Sequence, residues 1–156
     1  MIKIEVPGRC AYSIDNIVFD YNGTIAANGI IKDKVKDKIK ILCKMANVYV
    51  LTADTYGSVE NECRDLNIEL RTFPKNNASD FKCEIVKELG SDKTVCFGNG
   101  YNDIKMMVSA VLSLAVIGEE GMCSKLITSS DIVVKSIDDG INLLINQKSL
   151  IATMRG

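Results

Sequence analysis

Asn16-Ile17-Val18-Phe19-Asp20-Tyr21-Asn22-Gly23-Thr24 is a short apolar run that stops at an acid and then turns, with Asn22-Gly23 as the turn signal. Residues 31–46 follow with Ile31, Val35, Ile39, Leu42 and Ala46 at helical spacing, lysines and aspartates between them. Val48 to Thr52 is a second apolar run ending in a hydroxyl. The alternation then continues. The pattern predicts a helix from Thr55 to Leu66, with Asp54 or Thr55 as its cap, and a strand from Glu69 to Phe73, closed by Pro74. Asn77 caps a helix carrying Phe81, Ile85, Val86 and Leu89 on one face and ending at Gly90. Thr94 to Phe97 reads as a strand broken by Gly98-Asn99-Gly100. Asn102 starts a helix through Ile104, Met107, Val108 and Val111. A strand over Leu112–Ile117, a helix over 119–128, a strand over Asp131–Val134 and a last helix over Ile137–Ile145 complete the series. Residues 2–6 and 11–14 read as a small hairpin. Strands alternating with helices predict one doubly wound, three-layer α/β/α domain over residues 1–156, Rossmann-like, with a mainly parallel sheet.

Ligands in such sheets bind beyond the carboxyl ends of the strands. Those ends carry Asp20, Thr52, Pro74 and the loop Gly98 to Asp103. An acid, a hydroxyl and a glycine-rich amide loop ending in an acid suit a phosphate and a Mg²⁺ ion.

Composition narrows the chemistry. The 156 residues contain no histidine, so Ser-His-Asp and Cys-His hydrolases, HExxH metalloproteases and phosphohistidine chemistry are excluded. A general acid or base must be Asp, Glu, Lys, Tyr or Cys. Nineteen basic against twenty acidic residues give a net charge of −1, which argues against nucleic acid as a partner. No run reaches the ~18 apolar residues of a membrane span. The N-terminal residues do not read as a signal peptide. Cys10, Cys43, Cys63, Cys83, Cys96 and Cys123 form no CxxC pair, so they read as reduced, mostly core thiols of a cytoplasmic protein.

Each motif alone has an ordinary reading. Asn22-Gly23 is a turn, Gly98-Asn99-Gly100 is a tight turn before a helix, and Thr52 is a strand-end hydroxyl satisfying its own backbone. Together, Asp-x-Asn-Gly-Thr at residues 20–24, Thr52, Lys82 and Gly-Asn-Gly-x-Asn-Asp at 98–103 resemble the four motifs of the haloacid dehalogenase superfamily. The likeness is strongest to its small soluble members related to the phosphorylation domain of P-type ATPases. Leu51-Thr52-Ala53-Asp54-Thr55 and Ala115-Val116-Ile117-Gly118-Glu119-Glu120-Gly121 add to it.

The resemblance implies a Mg²⁺-dependent phosphohydrolase acting through a phosphoaspartate. Asp20 would be the nucleophile, Thr52 would donate to the phosphate, and Lys82, in preference to nearby Lys75, would neutralise charge. Backbone amides around Tyr21, Asn22, Gly23 and Thr24, together with Ala53, would hold phosphoryl oxygens. Asp20, the Asn22 carbonyl, Asn99 and Asp103 would hold Mg²⁺, Asp103 directly or through water. The resemblance also implies a phosphorylated small molecule or phosphoprotein as substrate.

Two positions depart from the family pattern. Asn22 stands where its phosphatases usually have an Asp that shuttles a proton, and Asn99 stands where a metal-binding Asp is usual. These departures keep open a turnover-impaired phosphate-binding or regulatory protein, or one that binds another protein through its crevice. Only 27 residues separate Thr24 from Thr52, so no cap domain is expected there. An open site of that kind suggests a homo-oligomer, dimer or tetramer.

Overall fold

A computed structural model describes residues 1–54 and 57–156. Strands β1 (Ile2–Glu5) and β2 (Ala11–Ile14) form an antiparallel hairpin, as the sequence suggested. The main sheet contains β3 (Asn16–Asp20), β4 (Asn47–Thr52), β5 (Glu69–Thr72), β6 (Thr94–Gly98), β7 (Leu112–Val116) and β8 (Ile132–Val134). Its order is β5-β4-β3-β6-β7-β8, with every pair parallel. The helices are α1 (Asp33–Leu42), α2 (Ser58–Cys63), α3 (Ala78–Leu89), α4 (Ile104–Ser109), α5 (Leu126–Ser129), α6 (Ile137–Ile145) and α7 (Gln147–Met154). This is the expected three-layer α/β/α arrangement. Among the described residues, no helix is long and apolar enough to cross a membrane.

Burial on both faces explains the continuous apolar strands: every residue of β3, β6 and β7 is buried. Ile17, Phe19, Val95 and Phe97 join one core with residues of α1, α6 and α7, and the Phe19 and Phe97 rings lie 4.7 Å apart. Val18 and Cys96 join the opposite core with Val86, Met106 and Leu126. Gly140 allows α6 to approach the sheet: a Cβ there would meet the Phe97 ring at 2.9 Å.

At the amino end of the sheet, buried Asn16 donates from Nδ2 to the Leu89 carbonyl at 2.9 Å. Its Oδ1 accepts from Asn47 Nδ2 at 3.2 Å. The Asp15 carbonyl accepts the Asn47 amide at 2.9 Å, and the Asp15 amide donates to Lys93 O at 2.9 Å. These polar links tie β3, β4, α3 and β6 together at the edge opposite the carboxyl ends.

Several expectations are corrected. The helix expected over 119–128 is only Leu126–Ser129. Gly118 and Gly121 take φ of +60° and +80°, and the intervening backbone serves other partners: Gly121 O accepts from Asn99 Nδ2, and the Cys123 amide donates to Asn99 O. Phe81 does not lie on the buried face of α3; it is 38% exposed, and Lys82 takes the interior position. Met106 and Met107, and not Val108, bury α4. That helix is also shorter than expected and is preceded by a 3₁₀ turn over Tyr101–Asp103. The chain continues past α6 into α7, which buries Leu150 and Met154 one turn apart. Thr55, the expected start of α2, lies outside the described residues; Asp54 Oδ2 accepts from the Val59 amide at 3.0 Å and from Ser58 Oγ at 2.6 Å. Of the six free thiols, Cys63, Cys83 and Cys96 are buried, Cys43 and Cys123 are half-buried and Cys10 is exposed.

Candidate active site

Asp20 ends β3, Thr52 ends β4 and Gly98 ends β6, so the parallel order places the three on neighbouring strand tips. Lys82 reaches them from the second turn of α3, which packs on that face of the sheet. Its Nζ donates to Asp20 Oδ1 at 2.6 Å, to Asp103 Oδ1 at 2.6 Å and to Asn102 Oδ1 at 3.1 Å. The residue is 1% exposed, Asp103 0% and Asp20 7%. A buried ammonium needs such partners, because desolvating an unpaired charge costs several kcal/mol. Lys82, and not Lys75, is the lysine paired with Asp20.

Two carboxylates around one ammonium leave one negative charge in excess. Burial and then the Asp103 charge push the Asp20 carboxyl up to about 7, against the pull of Lys82. Burial works against the Lys82 ammonium, but the charges of Asp20 and Asp103 and hydrogen bonds to both outweigh it and raise it above the ordinary lysine value.

Asp103 is built into the loop. Besides holding Lys82, its Oδ2 accepts the amides of Asn99 at 3.0 Å and Gly100 at 2.9 Å. Gly98 permits this approach: a Cβ there would meet Asp103 Cγ at 2.7 Å. Both Asp103 oxygens are therefore engaged, and the residue does not line the cavity over Asp20. Asn99 Oδ1 accepts from Thr24 Oγ1 at 3.2 Å, while its Nδ2 donates to Gly121 O at 3.1 Å. Thr24 Oγ1 also lies 3.4 Å from Asp20 Oδ2.

A cavity of about 440 Å³ opens over Asp20, bordered also by Asn22, Thr52, Ala53, Lys82 and Asn99. The Thr52 hydroxyl accepts the Asp54 amide at 3.1 Å, which leaves its proton to donate into the cavity. The ordinary reading of Thr52 is thus met, with the hydroxyl proton left unused by that bond. The flap after β3 differs from expectation. The amides of Tyr21, Gly23 and Thr24 already donate to Leu51 O, Ala26 O and Tyr21 O, because the flap closes on itself through the Gly23–Ala26 turn. The Tyr21 hydroxyl donates to Gly29 O at 2.8 Å. Among the described residues, the Asn22 and Ala53 amides and the Asn22 carbonyl carry no backbone hydrogen bond. Asn102 belongs to the site although only its place in the glycine motif marked it. Its contact with Lys82 depends on the 3₁₀ turn, which has no sequence periodicity to announce it.

No family model matches the chain. The uncharacterized protein MJ0073 of Methanocaldococcus jannaschii is 49% identical over 72 residues, 46% of this chain and 77% of that protein. The uncharacterized protein MJ0072 of the same organism is 51% identical over 39 residues, 25% of this chain and 89% of that protein. A 72-residue match is too short to include both Asp20 and Asp103, which stand 83 positions apart. Among solved structures, the 3-deoxy-D-manno-octulosonate 8-phosphate phosphatase of Moraxella catarrhalis, in complex with magnesium ion, phosphate ion and KDO, superposes with a TM-score of 0.71. It is 14% identical, with 91% of this chain and 94% of that chain covered. The cobalt-bound form of the deoxy-D-mannose-octulosonate 8-phosphate phosphatase YrbI from Haemophilus influenzae gives 0.68 at 17% identity, with 88% and 92% covered. A putative hydrolase of haloacid dehalogenase subfamily III A from Legionella pneumophila gives 0.72 at 14% identity, with 90% and 87% covered. The fold is the one that the sequence motifs implied.

Proposed function

We propose, for a chain that belongs to one family with MJ0073 and has the haloacid dehalogenase fold, a Mg²⁺-dependent phosphohydrolase acting through a phosphoaspartate on Asp20. The observation that carries this reading is the pairing of Asp20 with buried Lys82 beneath a cavity shared with Thr52. The phosphatase neighbours, which share the fold, support it.

One Asp20 oxygen attacks phosphorus in line. A bond forms between that oxygen and phosphorus as the bond to the leaving alcohol or acid breaks. Thr52 donates a hydrogen bond from its hydroxyl to a phosphoryl oxygen, and Asn22 and Ala53, whose amides carry no backbone hydrogen bond, border the same cavity. Lys82 holds the Asp20 carboxylate in place and offsets the charge of the incoming group. Asp103 positions Lys82 from behind. Water then attacks phosphorus, releasing phosphate and restoring Asp20.

The donor set fits a hard cation. The site carries one excess negative charge, and Asp20, the Asn22 carbonyl and Asn99 Oδ1 supply oxygens. Mg²⁺ binds through few protein oxygens and keeps several waters. Asp20, the Asn22 carbonyl and Asn99 would hold the ion, and water would complete its coordination. Asp103 acts in this arrangement through the Asn99 and Gly100 amides. When bound, the ion would draw charge from the phosphoryl oxygens. A small phosphorylated molecule is the substrate, and a second copy of the chain in a dimer or tetramer covers the open crevice.

Hydrolysis of an activated aryl phosphate and an acyl phosphate that requires Mg²⁺, with one phosphoryl group trapped on the protein by acid quench and mapped to Asp20, is the expected result. Absence of both turnover and trapped phosphoprotein would instead support a phosphate-binding protein, the reading that Asn22 favours.

The metal has its own test. Asn99→Asp adds a carboxylate facing the cavity and removes the donor to Gly121 O. Calorimetry should show Mg²⁺ binding tightened by about 10-fold, since ligand charge sets affinity. Thermal melting without Mg²⁺ should show a loss of about 1 kcal/mol from the broken hydrogen bond. Unchanged affinity in a folded variant would remove Asn99 from the ligand set.

A further inference from the structure

The cavity over Asp20 does not end there. A second hollow of about 260 Å³ adjoins it, lined by Tyr21, Gly29, Asp54, Ser58 and Val59. Asn22, Ala53 and Lys75 line both hollows and form the wall they share. In-line displacement sends the leaving group away from Asp20. With the phosphoryl group between Asp20 and Thr52, the rest of the substrate extends past that shared wall.

Lys75 is the charged residue common to both hollows. Lys82 is fully engaged by Asp20, Asp103 and Asn102, so it has no capacity for a second anion. Among the described residues Lys75 makes no ion pair or hydrogen bond, although its neighbour across the hollow, Asp54, is an acid. Asp54 turns one oxygen onto the start of α2, toward Ser58 and Val59. A lysine carries its charge on a flexible four-carbon stem and can follow a ligand into either hollow.

We infer that Lys75 selects the substrate by binding a second anionic group, a carboxylate or a further phosphate, on the leaving-group side of a small phosphate monoester. This rests on the phosphohydrolase reading of the site. It extends that reading to the substrate's other end. Tens of ångströms of protein surface are not needed for such a ligand; the two adjoining hollows match the scale of a small-molecule site.

The test compares three substrates: a phosphate monoester bearing a carboxylate, one bearing a second phosphate, and an activated aryl phosphate without a further charge. Lys75→Gln should lower kcat/KM for one or both charged substrates by about 10-fold, the size of one hydrogen bond to a charged group, mainly through KM. The aryl phosphate should change by less than about two-fold, Lys75→Arg should restore most of the loss, and Lys75→Glu should deepen it. Which charged substrate loses more identifies the anion. Equal losses on all three, or none on either charged substrate, would overturn the inference.

Binding keeps the inference separate from turnover. Calorimetry with phosphonoacetate and methylphosphonate should show a preference for phosphonoacetate that Lys75→Gln removes. If no substrate is hydrolysed, the catalytic reading fails while this preference still supports Lys75. If neither turnover nor calorimetry shows any preference for a second anion, the inference about Lys75 fails.

Discussion

Asn22→Asp is expected to speed hydrolysis of phosphate monoesters with poor leaving groups by up to about 10²–10⁴-fold, equivalent to roughly 3–5 kcal/mol of barrier. Asn22 lines the cavity beside Asp20, so a carboxyl group at this position can protonate the leaving oxygen and later activate water. An amide can do neither. An activated aryl phosphate leaves without protonation, so its first step should gain little. Phosphoaspartate that accumulates in the parent should decay faster in the variant. Asp20→Asn should abolish turnover in both backgrounds, because Asp20 is the one carboxylate among the described residues lining the cavity. Activity surviving Asp20→Asn would defeat the mechanism. An unchanged rate in Asn22→Asp, measured by stopped flow with Mg²⁺ bound, would show that proton transfer does not limit the protein.

Lys82→Met should destabilise the fold by about 3–5 kcal/mol, the usual cost of leaving a buried charge without its partner. Here the loss leaves Asp20 and Asp103 facing each other without an ammonium between them. Urea denaturation reads the effect directly. Adding Asp103→Asn to Lys82→Met should recover part of the loss, since one of the two stranded charges is removed. Coupling of this kind is expected for contacting residues and absent for distant ones. A Lys82→Met variant as stable as the parent would mean that the ammonium is not held between the two acids.

Most of the fold was legible because its signals are periodic. Continuous apolar runs at Asn16–Asp20 and Thr94–Phe97 read as strands buried on both faces, and their tips located Asp20 and the glycine loop. The same periodicity failed where tertiary contacts overrule it. Lys82 takes an interior position because two acids from other elements offset its charge, whereas Phe81 beside it faces solvent. Helical spacing alone assigns those two places the other way round. The segment 119–128 looks helical until Asn99 claims the Gly121 carbonyl. The flap amides looked available for phosphate because the Gly23–Ala26 turn, a bond between backbone atoms, leaves little trace in residue types. Nor did sequence spacing reveal that Lys75 borders both hollows, since that depends on how the segment between β5 and α3 crosses the strand tips.

Asn16 sits four residues before Asp20, at the other end of the same strand. In a sheet whose strands are apolar on both faces, side-chain polarity does little to oppose a slip of one strand past its neighbour. A slip of one residue would move Asp20 by about 3.3 Å. In-line attack tolerates displacement of only about 1 Å. The Asn16–Asn47–Leu89 links therefore act as the datum from which the position of Asp20 is measured, roughly 13 Å from where that position matters. On the proposed reading, alignment at Asp20 would be a property of the strand's quiet end, and a change there would register first as lost accuracy at the phosphorus, before any loss of folded protein.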